Sequence, residues 1–349
     1  MFRLFISEII LKQVIEAEGK KPEASRSYLY KMMRMKLVKK IYVSAETPDT
    51  AWAKILEEKH KIKADYSKSD YIRSIKDHPE TVLQNPSSIF ILDIPLIDAI
   101  KIQTSYGVIC LCGENANINR LIDINDEQTL GDQESLDNGW STVLKSLKGI
   151  PSNALLLTDR YLFSGYYPKA GNGIDNVLNI LDTLLPERFL GEYHVTIVFD
   201  NKSKNEKYTS FNEIVAQLSN VRQALHRDYP INMEILGITP DSEVYNDLHN
   251  RRIVSNYFIV KIEHKMAAFN KNVSTCEQTI TPQVLFTVDS LNQNSTPPIK
   301  AIDHVIAAIR KFSGIASRSS EATDYYYALN DKRMERCTGI KNRLLKLNQ

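Results

Sequence analysis

The chain lacks any long apolar run. No segment approaches the ~18–20 apolar residues of a membrane-spanning helix, so the sequence predicts no membrane insertion. Its start is apolar but is interrupted by Arg3, Glu8 and Lys12, and it has no small-residue cleavage site of the kind that ends a signal peptide. We therefore expect the protein in the cytoplasm.

Cysteine is also scarce, with four in 349 residues, which is too few for a disulfide framework. Cys110 and Cys112 lie within the apolar run 106–112 and are interpreted as small buried core residues. No Cys-x-x-Cys pair or histidine-rich segment accompanies them, as a metal site would require. The sequence thus predicts neither a metal ion nor a cofactor.

Neither sign of charge dominates, and the formal net charge of +2 does not by itself indicate a nucleic-acid partner. A basic stretch is nevertheless concentrated between residues 20 and 40, with Tyr28 and Tyr30 interleaved. Such a stretch can follow a phosphate backbone while its rings stack on bases. The alternative is a solvated helix face. The candidate nucleic-acid-binding residues here are Lys31, Arg34, Lys36, Lys39 and Lys40.

Apolar segments alternate with amphipathic ones along the chain, which predicts an α/β fold. The 43% hydrophobic and 25% charged residues are typical of a globular protein, and the length suffices for two domains. We predict an N-terminal α/β domain over 1–150 and a second α/β domain over 151–349. In the first, segments 89–93 and 107–111 are continuous apolar strands typical of a parallel sheet. Asp93 ends one of them, where phosphate or metal chemistry often lies, although a turn role is commoner.

The second domain has a regular element order. Strands are predicted at 153–163, 193–199 and 233–238, helices at 174–185 and 211–225, and a β pair at 248–262. This is strand–helix–strand–helix–strand followed by a hairpin.

The hairpin carries the most informative motif, because His249 and Arg251 alternate on the predicted strand and Asn256 follows at its end. An imidazole beside a fixed cation suits phosphoryl transfer: the histidine attacks phosphorus or moves a proton, and the guanidinium holds the phosphate oxygens. We predict that these three side chains converge at one edge of the sheet.

The order and spacing resemble the His-x-Lys-x4-Asp signature of the phospholipase D superfamily, with Arg251 in the lysine position and Asn256 in the aspartate position. The resemblance covers roughly residues 153–270. Asp-Arg-Tyr-Leu at 159–162 and Leu-His-Asn-Arg-Arg-Ile at 248–253 look like the single-motif relatives in MIT-type C-terminal domains and bacterial defence-associated proteins. The glycine-serine stretch that usually follows the motif is replaced by 265–270.

The resemblance implies a phospholipase D-like fold and a metal-independent attack on a phosphodiester, with His249 as the nucleophile. A second histidine protonates the leaving oxygen, so one motif per chain implies a homodimer. His264 is an alternative second imidazole, although it lies in a charged turn. The supporting residues expected at the same edge, by orienting the histidine or by ion pairing, are Asp159, Asp200 and Arg252.

Two functions follow from these residues. The first is a nuclease or phosphodiesterase effector acting on nucleic acid in bacterial antiviral defence. The second is a catalytically degenerate module that reads phosphate and docks a partner protein. Arginine in place of lysine keeps phosphate binding better than proton chemistry, and asparagine in place of aspartate removes the anion that would orient the histidine.

Overall fold

The computed structural model describes residues 2–18, 33, 38–113, 126–163, 171–200, 211–238, 249–285, 325–329, 334–336 and 341–346. Helices alternate with parallel and antiparallel strands, so the protein has the predicted α/β fold. The chain divides into two compact units, the first formed by Met1–Asp123 with Phe286–Ile299, the second by Ile124–Leu285 with Lys300–Gln349. No helix within the described ranges is long and apolar enough to cross a bilayer.

The first unit contains a five-stranded sheet of order β3-β2-β1-β4-β5 in which all strands are parallel. Its strands are β1 (Phe2–Ser7), β2 (Val38–Ser44), β3 (Ala64–Asp65), β4 (Ile89–Leu92) and β5 (Ile109–Cys112). Its helices are α1 (Glu8–Glu18), α2 (Thr50–His60), α3 (Ser69–Ser74), α4 (Leu96–Tyr106) and a 3₁₀ helix at Pro79–Gln84.

Aromatic rings stack across three neighbouring strands of this sheet. The ring of Phe5 in β1 lies 5.0 Å from that of Tyr42 in β2 and 5.0 Å from that of Phe90 in β4. All residues of β4 and β5 are buried, as their unbroken apolar sequence predicts. Cys110 and Cys112 are buried in β5, which confirms their interpretation as core residues.

The second unit contains a nine-stranded sheet of order β16-β15-β9-β8-β7-β10-β11-β14-β6. Its strands are β6 (Gln128–Leu130), β7 (Ala154–Thr158), β8 (Tyr193–Asp200), β9 (Ile231–Ile238), β10 (Arg251–Ser255), β11 (Phe258–Ile262), β14 (Gln278–Val284), β15 (Tyr325–Leu329) and β16 (Met334–Arg336). A separate two-stranded ribbon comprises β12 (Phe269–Asn270) and β13 (Val273–Ser274). The helices are α5 (Trp140–Val143), α6 (Gly171–Leu184), α7 (Phe211–Ala224), α8 (Arg343–Lys346) and a 3₁₀ helix at Lys145–Leu147.

The predicted element order β7-α6-β8-α7-β9, followed by the β10–β11 hairpin, is confirmed. Strands β7, β8 and β9 are parallel, and β10 pairs antiparallel with β7. Because β10 runs against β7, the start of the hairpin meets the carboxyl end of β7. That arrangement positions the site described below.

The predicted domain boundary at residue 150 lies too far along the chain. Strand β6 pairs with β14 of the second sheet, and the indole of Trp140 in α5 donates a hydrogen bond of 2.6 Å to Asn176 in α6. Residues 126–150 therefore belong to the second unit. Strand β6 has only three residues, and its partner β14 lies far along the chain. The local sequence therefore does not indicate to which unit β6 belongs.

Candidate functional site

Two neighbouring parallel strands end at the same edge of the second sheet. Beyond β7, the amide of Asp159 donates a hydrogen bond of 3.1 Å to the carbonyl of Val198 in β8. The backbone carbonyl of Arg160 accepts one of 3.2 Å from the amide of Asp200. Both aspartates thus lie at this edge, where the sequence predicted them. Arg252 of β10 pairs with Thr158 at the end of β7, so the residues just before Arg252 reach the same place.

His249 lies just before β10 and not on it, because the strand begins at Arg251. The predicted strand alternation of His249 with Arg251 is wrong in this respect. The segment is held instead by the hydroxyl of Thr158, which donates a hydrogen bond of 3.2 Å to the carbonyl of Asn250. His249 and Arg251 nevertheless lie at one edge of the sheet, next to Arg160.

Asp159 is the buried anchor of the site. Its side chain is fully buried and accepts hydrogen bonds from the amides of Tyr161 at 2.9 Å and Met266 at 2.7 Å. The Nε atom of Arg251 lies 3.6 Å from its Oδ1 atom. Burial raises the pKa of Asp159 above its ordinary value despite these favourable contacts. The carboxyl group therefore ties three segments together and fixes Arg251.

Arg251 is held in place by two carbonyls as well. Its Nη1 atom donates to the carbonyl of His249 at 3.2 Å and to that of Glu263 at 3.1 Å. Its Nε atom is buried without a hydrogen-bond partner among the described residues, since 3.6 Å to Asp159 is an ion-pair distance. These contacts fix the position of the guanidinium.

Arg160 contacts the imidazole of His249 directly, Nη1 to Nε2. Its Nε atom lies 3.8 Å from Oδ2 of Asp200. A guanidinium only donates hydrogen bonds, so the imidazole Nε2 accepts and the ring is neutral, with its proton on Nδ1. Partial burial, then the charges of Arg160 and Arg251, lower the pKa of His249, which agrees with a neutral ring.

Tyr161 lies among these cations. Its ring centroid is 5.1 Å from the guanidinium carbon of Arg160 and 5.9 Å from that of Arg251, both within cation–π range. The His249 ring meets it edge-on at 6.3 Å. The motif spacing along the sequence assigned no role to Arg160 or Tyr161. The available signal was their position directly after a strand-end aspartate.

Asn256 lies at the opposite end of β10, so its predicted convergence with His249 is wrong. Its Oδ1 atom accepts hydrogen bonds of 3.2 Å from the amide of Asn153 and 3.2 Å from the hydroxyl of Ser255. The five residues of β10 extend roughly 17 Å at about 3.3 Å each. The side chain fastens the hairpin turn to the start of β7.

Two other candidates also lie away from the site. Arg252 projects from the face of the sheet opposite to Arg251 and pairs across strands with Lys261, whose pKa is lowered by burial and then by Arg252. His264 is exposed, and its Nε2 atom lies 3.9 Å from the carboxylate of its neighbour Glu263. His264 is therefore a surface residue, as its position in a charged turn of the sequence indicated.

The basic N-terminal candidates belong to the first unit. Lys31, Arg34 and Lys36 lie outside the described residues, whereas Lys39 and Lys40 lie in β2. The ammonium of Lys40 is 2.8 Å from Asp65. Its hydrogen bond, followed by those from Ser67, lowers the pKa of the Asp65 carboxyl to about 2. The ammonium also lies 4.9 Å from the ring centroid of Tyr42. Asp93 is exposed beyond the end of β4.

Comparison with protein-family models and with curated proteins finds no match to this chain. Within the described residues, no group of three or more His, Cys, Asp or Glu side chains is arranged to hold a metal ion. The side-chain arrangement at the end of β7 therefore carries the functional argument.

Proposed function

We propose that the second unit recognises phosphate groups of nucleic acid, through a site formed by Arg160, Tyr161, His249 and Arg251. In this proposal it is a phosphate-reading module that docks onto a partner protein. A distant relation to the phospholipase D superfamily is part of the proposal and is supported by the element order and the residues 249–251. A setting in bacterial antiviral defence follows from that resemblance alone.

The observation that carries the proposal is the contact between Arg160 and His249, next to the guanidinium of Arg251. Three nitrogen-rich side chains meet at the end of β7. The two nearby carboxylates, Asp159 and Asp200, are buried, with side chains 0% and 5% exposed. A phosphodiester anion there would accept from the outer guanidinium atoms and favour protonation of the imidazole. A base could stack on Tyr161.

The hydrogen bond that the His249 ring accepts from Arg160 supports phosphate binding better than cleavage. Its Nε2 atom accepts from Arg160 and so is not available as a nucleophile in this arrangement. The described contacts of His249 include no carboxylate that would orient it as a base. Asn256, the residue in the aspartate position, lies at the other end of the strand. These contacts favour recognition without turnover.

Replacing Arg160 by glutamine should weaken binding of a short single-stranded oligonucleotide by about 10- to 100-fold, because one charge-assisted hydrogen bond contributes about 1.5–3 kcal/mol. Fluorescence anisotropy with a labelled DNA or RNA strand measures this loss. Arg188→Gln is the matched control, since Arg188 is an exposed arginine of the same unit. Equal affinities of the two variants would remove Arg160 from the proposed site.

The affinity for the same oligonucleotide should rise as the pH falls. The pKa of His249 is lowered in the free protein, and a bound phosphodiester favours the imidazolium, so binding takes up a proton below the ordinary histidine pKa of about 6.5. The phosphodiester itself does not titrate in this range. His249→Ala should flatten the dependence between about pH 8 and about pH 5 relative to the wild type. An unchanged slope in that variant would assign the dependence to other histidines.

The second candidate is a metal-independent nuclease, favoured by the position of His249 between two guanidinium groups. It requires a second imidazole, supplied by another copy of the chain in a two-fold dimer. We expect binding without cleavage. Cleavage that survives EDTA, disappears in His249→Ala and accompanies a dimer in light scattering would establish the nuclease instead.

A further inference from the structure

An amine and a thiol lie in contact at the base of the β12–β13 ribbon, because Lys265 precedes the ribbon and Cys276 follows it. The amino group of Lys265 donates a hydrogen bond of 3.2 Å to the carbonyl of Thr275. It also hydrogen-bonds the side chain of Cys276. The backbone amide of Lys265 donates to Oε1 of Gln278 at 3.1 Å. Backbone and side chain of Lys265 are therefore both held against the segment that carries the thiol.

The thiol of this pair is accessible, whereas the amine is enclosed. Lys265 is only 5% exposed, and Cys276 is partly exposed. The other cysteines that the structure describes, Cys110 and Cys112, are buried in β5. Because oxidation of cysteine requires access, a small oxidant reaches Cys276 before these two.

Burial is the largest influence on the ionisation of both groups. It lowers the pKa of Lys265 and raises that of Cys276, so each is shifted towards its neutral form. A neutral amine has the electron pair that attacks an electrophilic sulfur, which an ammonium lacks. The charges of Lys265 and Arg251 act on Cys276 in the other direction and favour the thiolate.

We propose that Cys276 and Lys265 form a sulfenamide cross-link when the protein is exposed to hydrogen peroxide. The sulfur attacks one peroxide oxygen and the O–O bond breaks, which gives a sulfenic acid and one water. The Lys265 nitrogen then attacks this sulfur. The S–N bond forms, the S–O bond breaks, and the hydroxyl leaves as a second water with a proton from the amine. Sulfur loses two electrons, the peroxide is reduced to water, and the protein loses two hydrogen atoms.

The cross-link closes a segment that also contacts the site at the end of β7. The amide of Met266, the residue after Lys265, donates to Asp159 at 2.7 Å. A covalent link between Lys265 and Cys276 restricts the unfolded chain in the way that a disulfide does. The oxidised protein should therefore have a higher melting temperature than the reduced protein, and a thiol reductant should reverse the increase.

Peptide mapping of the peroxide-treated full chain by mass spectrometry tests the proposal. Trypsin should no longer cleave after Lys265. The peptides that contain Lys265 and Cys276 should form one species that is two hydrogen atoms lighter than their sum. A thiol reductant should restore the separate peptides. Lys271→Arg, which replaces an exposed lysine of the same ribbon, is the matched control and should cross-link like the wild type.

Lys265→Arg separates the two chemical steps. A guanidinium keeps the positive charge but does not lose its proton, so oxidation should stop at a sulfenic acid that dimedone traps. Circular dichroism checks that this variant is folded, and the wild-type product decides the question if it is not. The proposal is overturned if wild-type Cys276 stays reduced, or if it ends as a sulfenic acid, a sulfinic acid or a disulfide while Lys265 is still cleaved. The same cross-link in folded Lys265→Arg would overturn it equally.

Discussion

Asp159→Ala should destabilise the second unit by about 3–5 kcal/mol, because it leaves the guanidinium of Arg251 without its buried counter-charge. It also removes the acceptor of the amides of Tyr161 and Met266. Asp159→Asn should cost less than Asp159→Ala, because its amide oxygen still accepts from one of these two amides and because burial penalises the charged form of Asp159, whose pKa is raised. It should still destabilise the protein, since the other amide loses its acceptor and Arg251 loses its counter-charge. Urea unfolding of the three proteins measures the difference.

A double-mutant cycle then isolates the ion pair. Arg251→Met alone should be destabilising, whereas Asp159→Asn combined with Arg251→Met should recover much of that loss, since no uncompensated charge remains buried. Strict additivity of the two substitutions would mean that the 3.6 Å approach of Nε to Oδ1 contributes no coupling.

The same carboxyl group sets a pH dependence of stability. A pKa raised in the folded state gives stability that is fully present below the unfolded value of about 3.9 and is lost as the pH rises through the folded value. Asp159→Asn should abolish this loss, so its stability relative to the wild type should improve as the pH rises from about 4.

Asn176→Ala should cost about 3–5 kcal/mol in the free energy of unfolding, because one buried amide satisfies several buried groups at about 1–3 kcal/mol each. Its Oδ1 atom accepts from the indole of Trp140 at 2.6 Å and from the amide of Phe269 at 3.0 Å. Its Nδ2 atom donates to the carbonyl of Phe269 at 2.8 Å. No apolar side chain replaces these bonds.

Asn179→Ala is the control for this prediction. Asn179 is an exposed asparagine on the same helix α6, so its replacement should change stability by about 0.5 kcal/mol or less. Denaturant unfolding followed by circular dichroism compares the two variants. A loss at Asn176 no larger than that at Asn179 would mean that the contacts with Trp140 and Phe269 add no net stability.

The sequence predicts the elements well because periodicity is a local property. Buried parallel strands such as β4 and β5 are continuous apolar runs, and α6 carries a strong amphipathic pattern, so type and order follow from the residues themselves. The burial of Cys110 and Cys112 follows from the same run. The α/β fold class could therefore be predicted without knowledge of tertiary contacts.

The candidate site was predictable only in part, because the spacing of motif residues along the sequence does not determine where their side chains lie in the fold. A spacing of five places Arg251 and Asn256 at opposite ends of a five-residue strand, where extended backbone separates them. Where β10 begins depends on its pairing with β7, which the local sequence does not encode. The cation that contacts the imidazole ring of His249 comes from Arg160, 89 residues earlier in the chain.

The site also has a consequence for the order in which the chain acquires function during its synthesis. Asp159 binds the amide of Met266, 107 residues later in the chain, and this same carboxyl group fixes Arg251. A nascent chain that has released β7, β8 and β9 from the ribosome still lacks the fixed guanidinium. The site that we propose for phosphate recognition therefore forms late in translation, after the hairpin has closed against β7, and a prematurely terminated chain would lack it.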